Sequence, residues 1–282
     1  MAFSTTNGLS EYLAASKQRI PFVKTANRTS VALIPFSVFD LAGNPGAGTL
    51  AGTSTTAGVV PTDATAGTPI INAFGGSNKG YLTKVEYYNS VISTLFVYDL
   101  LFKAGNYAYN SGTTTLSSQP AISSRCPDYP GSGTVFGNGN EIWIEVSTAF
   151  VTGTAWQVRV TYTNSAGVTG RSTIISASQN AAALTLGKMF QLALQAGDSG
   201  VQTIESVVVT NGGTAMTAGA FNVLILRRLW SNRIAIANSG AIDDILKTGA
   251  PIVYADSALI VVVQADSTST GLPNLTLEIS NA

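Results

Sequence analysis

Beyond residue 69 apolar and polar side chains alternate in short runs. "YLTKVEYY", "STLFVYDLLF", "EIWIEVSTAF", "AWQVRVTYT", "RSTIISAS", "TIESVVV", "AFNVLILRRLW", "ALIVVVQA" and "LTLEIS" are rich in β-branched and aromatic residues with a period of two, the spacing at which neighbouring strand residues face opposite sides. "GNGNE", "TNSAG", "TNGG" and "DSTSTG" supply turns between them. Many short strands in series predict an all-β fold of β-sandwich type, jelly-roll or immunoglobulin-like. Only "DDILKTG" (243–249) suggests a further helical turn. A helical period appears over 7–18, where Asn7 caps, Glu11 sits in the first turn, and Leu9, Tyr12, Leu13 and Ser16 share a face. So short a helix needs a surface to dock on, which makes Leu9, Tyr12 and Leu13 candidate interface residues. "RTSVALIPFSVF" (28–39) reads as a strand broken by Pro35.

An internal repeat runs through the strands. "GYLTKVEYYN" (80–89) parallels "GVQTIESVVVTN" (200–211), with Gly80 on Gly200 and Thr83 on Thr203. "LFVYDLLF" (95–102) parallels "VLILRRLW" (223–230), and 141–164 parallels 258–281. The expected organisation is an N-terminal arm with a short helix (1–30), a first β-sandwich unit (31–187) and a second (188–282). Within the first, residues 41–69 are mostly Gly, Ala and Thr and read as a long loop or an extended arm lying on a partner.

Composition narrows the function. Of 282 residues 45% are hydrophobic and 11% charged, with 15 cationic and 15 anionic side chains; an average soluble domain carries roughly 25% charged residues. A neutral, charge-poor chain is unsuited to nucleic acid, whose binding requires excess cations to displace counterions. It is also weakly protected from association, which points to an assembly. "ALIVVV" and "FNVLIL" are too short to span a bilayer, and the N-terminus has no signal-peptide pattern, so no membrane partner and synthesis in a cytoplasm are expected. Cys126 is the single cysteine and is expected to be a buried thiol.

Candidate chemistry is sparse. "GDSG" (197–200) matches the surroundings of a chymotrypsin-like nucleophile, but the chain has no histidine, and serine needs an adjacent base. Its Gly and Asp residues fit a turn entering a strand. His and Cys clusters for zinc are absent, and neither "GNGNE" nor "ADSTSTG" has the periodicity of a calcium loop. Glu86, Asp99, Glu141, Glu145 and Glu205 fall mostly at outward-looking strand phases and form no evident acid pair. No catalytic residue, metal or cofactor is expected. Arg227 and Arg228 are adjacent on a strand, so one must face a core or an interface. With Trp230 they are the remaining candidate interface residues, of types enriched at protein contacts; an internal salt bridge is the competing reading for the buried arginine. Tyr107, Tyr109 and Trp143 are candidate sugar-platform aromatics, with core packing the competing fate of Trp143.

"EYYNSVISTLFVYDLLFKAGNYAY", "LSSQPAISSRCPDY", "EIWIEV", "VTYTNSAGVTGR", "LALQAGDSGVQTIESV", "FNVLILRRLW" and "PIVYADSALIVVVQADSTSTGLP" give the chain, from about residue 80 onward, a wording and order that resembles structural proteins encoded among the head genes of tailed bacteriophages. The resemblance implies a virion component, of capsid cement or decoration type, with the major capsid protein and copies of itself as partners. The competing class is a head- or tail-fibre appendage that binds host carbohydrate or a receptor.

Overall fold

The computed structural model describes residues 15–51, 54–74, 79–151, 155–176, 179–180, 184–212 and 218–281. In chain order the strands are β1 (Lys17–Lys24), β2 (Pro35–Ser37), β3 (Gly43–Asn44), β4 (Lys79–Asn89), β5 (Ser93–Ala108), β6 (Gly112–Thr115), β7 (Asn140–Val151), β8 (Ala155–Asn164), β9 (Arg171–Ser172), β10 (Gln179–Asn180), β11 (Met189–Leu192), β12 (Val201–Asn211), β13 (Ala218–Ile234), β14 (Ser239–Asp243), β15 (Ile252–Tyr254), β16 (Leu259–Ala265) and β17 (Asn274–Asn281). A one-turn helix α1 (Ile245–Thr248) and a 3₁₀ turn (Ser123–Arg125) complete the described elements. The fold is all-β, as the period of two predicts.

The strands form three antiparallel sheets. A central sheet has the order β11-β7-β13-β5-β16-β2. One outer sheet runs β14-β4-β17-β1-β3, with β15 also on β4, and the other runs β10-β8-β12-β6, with β9 on β8. Alternation along β13 shows how they pack. Phe221, Val223 and Ile225 join a core with Trp156, Val158, Val160, Ile204 and Val207 of β8 and β12. Leu229, further along the same face, joins a second core with Phe22, Val85 and Leu277 of β1, β4 and β17. Two sandwiches therefore share the central sheet. Its opposite face carries Tyr98, Leu100, Leu224, Leu226, Ile260 and Val262, sealed by Phe39, Leu50, Trp143 and Met189. The central sheet's two edges meet through a Phe36–Lys188 bridge and a bond from the Ser37 amide to the Gly187 carbonyl at 2.8 Å, so six strands close a ring around this third cluster. Arg28 is buried at that seam. It donates to the carbonyls of Ser37 (3.3 Å) and Leu186 (3.1 Å) and pairs with Asp40.

The repeat reappears as symmetry. Matching β4, β5, β7 and β8 with β12, β13, β16 and β17 turns the order β7-β13-β5-β16 into itself reversed, and turns the β4–β17 pair into the β12–β8 pair. The repeat places Asp99 on Arg227, and these two residues lie directly opposite each other in the β5–β13 register. A pseudo-two-fold thus passes beside them. Residues 31–187 and 188–282 accordingly do not form separate sheets. β4 pairs with β17, β8 with β12 and β5 with β13, so each half supplies strands to all three sheets.

Three local expectations change. The 7–18 helix falls for the most part outside the described residues, but Lys17 and Gln18 open strand β1, which alternates Ile20 and Phe22 into the core, and the Ser16 carbonyl just before it accepts from the Asn281 amide at 2.8 Å. Pro35 opens a strand instead of breaking one. The 41–69 loop packs on its own chain: Leu50 enters the third cluster, and Val59 exchanges two backbone bonds with Lys103 at 2.9 Å.

Candidate functional site

The Arg-Arg pair divides between the two faces of β13. Arg227 points into the seam between the sandwich cores, where its guanidinium lies 3.0 Å from Asp99, donates to the Ile252 carbonyl at 2.9 Å and stands over the Tyr254 ring. Asp99 also pairs with Arg125 at 3.4 Å and accepts from the Ser257 hydroxyl (2.8 Å) and the Ala258 amide (3.1 Å). Arg125 donates to the carbonyls of Asp256 and Leu100, both at 2.7 Å. Cys126 borders this cluster, and burial pushes its thiol up to about 11. Trp230 is enclosed too, donating to Asp243 at 2.9 Å and packing 4.8 Å from the Tyr87 ring. Arg227 and Trp230 are therefore internal fixtures and not interface anchors. Arg228 emerges on the other face, half exposed, 3.9 Å from Glu141. Leu9, Tyr12 and Leu13 lie outside the described residues.

Other sequence candidates move inward as well. Asp99 and Glu145 are buried, against the outward phase assigned to them. At these two positions both faces of the central sheet are covered, so neither phase reaches water there. Tyr107 and Trp143 are buried and Tyr109 packs, partly buried, against the β8–β12 core, so these three do not form an exposed aromatic platform. The "GDSG" residues form the expected turn, with Gly197 at φ 89°. Ser199 meets the Ser165 hydroxyl at 3.1 Å. The acting residue is Asp198, which accepts from Tyr162 (2.6 Å), Asn164 (2.8 Å) and Arg171 (2.9 Å) and so pins the turn to β8 and β9. Burial alone would raise its carboxyl; the hydrogen bonds from Arg171, Tyr162 and Asn164 outweigh this and hold it at about 2. Because the folded value lies below the unfolded one near 4, Asp198 stabilises the fold above pH ~4 and the contribution is lost as pH falls towards ~2. Asp198→Asn is expected to flatten that stretch of the stability profile. Urea midpoints at pH 6 and pH 2.5 check it, and an unchanged difference between them would count against the assignment.

The exposed surface has its own pattern. Lys24, Arg28, Asp99, Lys103, Arg125, Glu145, Lys188, Arg227, Asp243 and Glu278 are all buried, so ten of the chain's charged side chains serve the interior and not the surface. Ile236, Ile242 and Leu246 are 69%, 61% and 89% exposed. They cluster within one segment around β14, an edge strand paired only with β4. The segment is rigidly held from beneath. Asp243 receives Trp230, Asn232 (2.7 Å) and Lys247 (3.3 Å), Asp244 caps α1, and Gly249 closes it in the left-handed region. Natural edge strands are commonly guarded by lysine, proline, a bulge, shortness or an inward-facing charge; Ser239, Gly240, Ala241 and Ile242 carry no charge, and the short strand's one charged residue, Asp243, faces inward. Among the described residues no group of three His, Cys, Asp or Glu side chains is arranged to hold a metal ion, and no helix is long and apolar enough to cross a membrane.

No family model matches the chain, and no curated protein matches it. Among solved structures it shows a weak likeness to those of infectious bursal disease virus particles. The VP2 subviral particle of infectious bursal disease virus aligns over 95% of this chain and 80% of that one, at 10% identity and a TM-score of 0.24. The Gx strain of the same virus aligns over 94% and 80%, at 10% identity and 0.22. Its derived T=1 particles align over 95% and 78%, at 8% identity and 0.19.

Proposed function

We propose that this protein is a non-enzymatic structural component of a virion, a capsid cement or decoration protein made in the host cytoplasm. It binds between capsomers of the major capsid protein and alongside copies of itself, and it stabilises the phage head. The observation that carries this reading is the exposed edge of β14, a strand paired only with β4, with the apolar side chains of Ile236, Ile242 and Leu246 exposed in and beside it. Exposed apolar side chains gathered in one segment suit a surface that is covered in an assembly. The action is physical. A protein that binds only the assembled shell adds its binding free energy to shell stability by linkage, and repetition over a symmetric lattice multiplies a modest contact. The head- or tail-fibre alternative loses its support with the burial of Tyr107 and Trp143.

Added to capsids that lack it, the protein is expected to bind in fixed stoichiometry and raise the temperature at which DNA is released. Binding should persist at moderate salt, because screening takes little from apolar contacts. Ile242→Lys combined with Leu246→Lys should weaken binding about tenfold or more, at least ~1.4 kcal/mol, with the fold intact because both side chains are exposed. Sedimentation with capsids measures this. A few copies at a unique vertex, or binding that ignores both substitutions, would overturn the cement reading.

A further inference from the structure

We propose that Lys103 and Asn222 form an amide cross-link within the chain, with Glu145 as the proton-transfer group. The three residues sit on three adjacent strands of the central sheet. Glu145 on β7 lies directly opposite Asn222 on β13, and Lys103 on β5 lies opposite Leu224, two residues further along β13. Asn222 is 0% exposed, and the side chains of Lys103 and Glu145 are buried with it. One carboxylate oxygen joins them: Glu145 Oε2 is 3.7 Å from Lys103 Nζ and 3.0 Å from Asn222 Nδ2.

The amide is held in one orientation. Asn222 Nδ2 also donates to the Leu50 carbonyl at 2.6 Å, a group that can only accept. Nδ2, the leaving nitrogen, therefore faces Glu145, and Oδ1 has no hydrogen-bond partner. Residue 105 is glycine for this reason, since a Cβ there would stand 2.1 Å from Asn222 Oδ1. On the other side, Lys103 Nζ donates to the Thr49 carbonyl at 2.9 Å and lies beside a cavity lined by Phe39, Thr49, Val59, Pro61 and Leu100, which gives a small leaving molecule somewhere to go.

The chemistry uses all three groups and needs no co-reactant. The Lys103 ammonium passes a proton to the Glu145 carboxylate, and the freed amine attacks Asn222 Cγ, forming the new C–N bond. Glu145 returns its proton to the former Nδ2 and takes one from the attacking nitrogen. The Cγ–Nδ2 bond breaks, ammonia departs and accepts the remaining proton as ammonium, and Glu145 is a carboxylate again. Nothing is oxidised or reduced. Both groups approach the same Glu145 oxygen within the buried interior, and well-oriented intramolecular reactions reach effective molarities of about 10⁵–10⁸ M, so a single turnover per molecule suffices. The product ties the two strands that flank the pseudo-two-fold.

Intact mass spectrometry of the unfolded full-length chain tests this. The mass should fall short of the sequence mass by one ammonia, and a tryptic digest should contain one branched peptide joining the segments around residues 103 and 222. Lys103→Arg and Glu145→Gln should each restore the full mass and abolish the branched peptide. The full sequence mass in the parent protein would overturn the proposal. So would a deficit that persists in Lys103→Arg, which identifies cyclisation of an asparagine on its own backbone. If a variant fails to fold, the parent's mass and branched peptide decide the matter without it.

Discussion

Replacing Asp99 by alanine is expected to cost the fold about 3–5 kcal/mol, the range for removing one partner of a buried charge pair. Asp99 is the common acceptor of Arg125, Arg227, Ser257 and the Ala258 amide. Its loss leaves two buried guanidinium groups with carbonyl partners and no counter-charge. The site lies in the seam between the two sandwich cores, so the penalty falls on both. The urea transition should remain single and keep its slope while its midpoint moves down. Asp99→Asn, which keeps an acceptor for Ser257 but loses the charge, should fall between the two. A triple replacement of Asp99, Arg125 and Arg227 by apolar residues of similar volume should recover much of the loss, because a buried ion cluster is often replaceable by packing. A shift below ~1 kcal/mol for Asp99→Ala would mean that water reaches the cluster and that the seam is not dry.

Arg28→Met is expected to cost about 2–3 kcal/mol by leaving buried carbonyls without donors. The effect should be local before it is global. Arg28 spans the place where the ring of six strands closes, bonding Ser37 on one edge and Leu186 beside the other. Without it, the backbone pairing of the Phe36–Lys188 bridge, with its Ser37–Gly187 bond, is left to hold the closure. Hydrogen exchange should accelerate at Ser37, Gly187 and Lys188 while the amides of β5 and β13 stay protected. Uniform acceleration across the central sheet would show that the seam does not open separately.

Much of this architecture is legible in the sequence. The alternating runs become strands, the "GDSG" stretch becomes a turn entering β12, and the faint repeat marks real symmetry. Periodicity fails where both faces of a strand are covered. β5 reads as half-buried, yet most of "STLFVYDLLFKAGNYA" is enclosed on both sides. The polar members of such strands, Asp99 and Lys103, then look like solvent positions. Glu145 on β7 misleads for the same reason. A denser apolar run with few polar interruptions is the signal for such a strand, and "FNVLIL" carries it on β13. The loop over 41–69 has no period, so its anchors Leu50 and Val59 are invisible until the tertiary contacts are seen. The surface segment around β14 is not legible in the sequence, because Ile236, Ile242 and Leu246 follow no strand or helix period as a set and only their exposure in the fold sets them apart.

The interleaving of the two halves also constrains how the chain is made. β4 is complete early in synthesis, but its neighbour β17 spans Asn274–Asn281, at the far end of the sequence. β5 must wait for β13, and β8 for β12. None of the three sheets can close while the first half alone has left the ribosome, and its apolar strands stay unpaired in the meantime. Folding dominated by such distant pairings is slow, and exposed strand edges invite wrong partners during the delay. Low charge weakens the repulsion that would keep nascent copies apart. Until β12, β13, β16 and β17 have been made, the strands of the first half lack their partners, and the interval between the two halves is when this architecture is most exposed to mispairing.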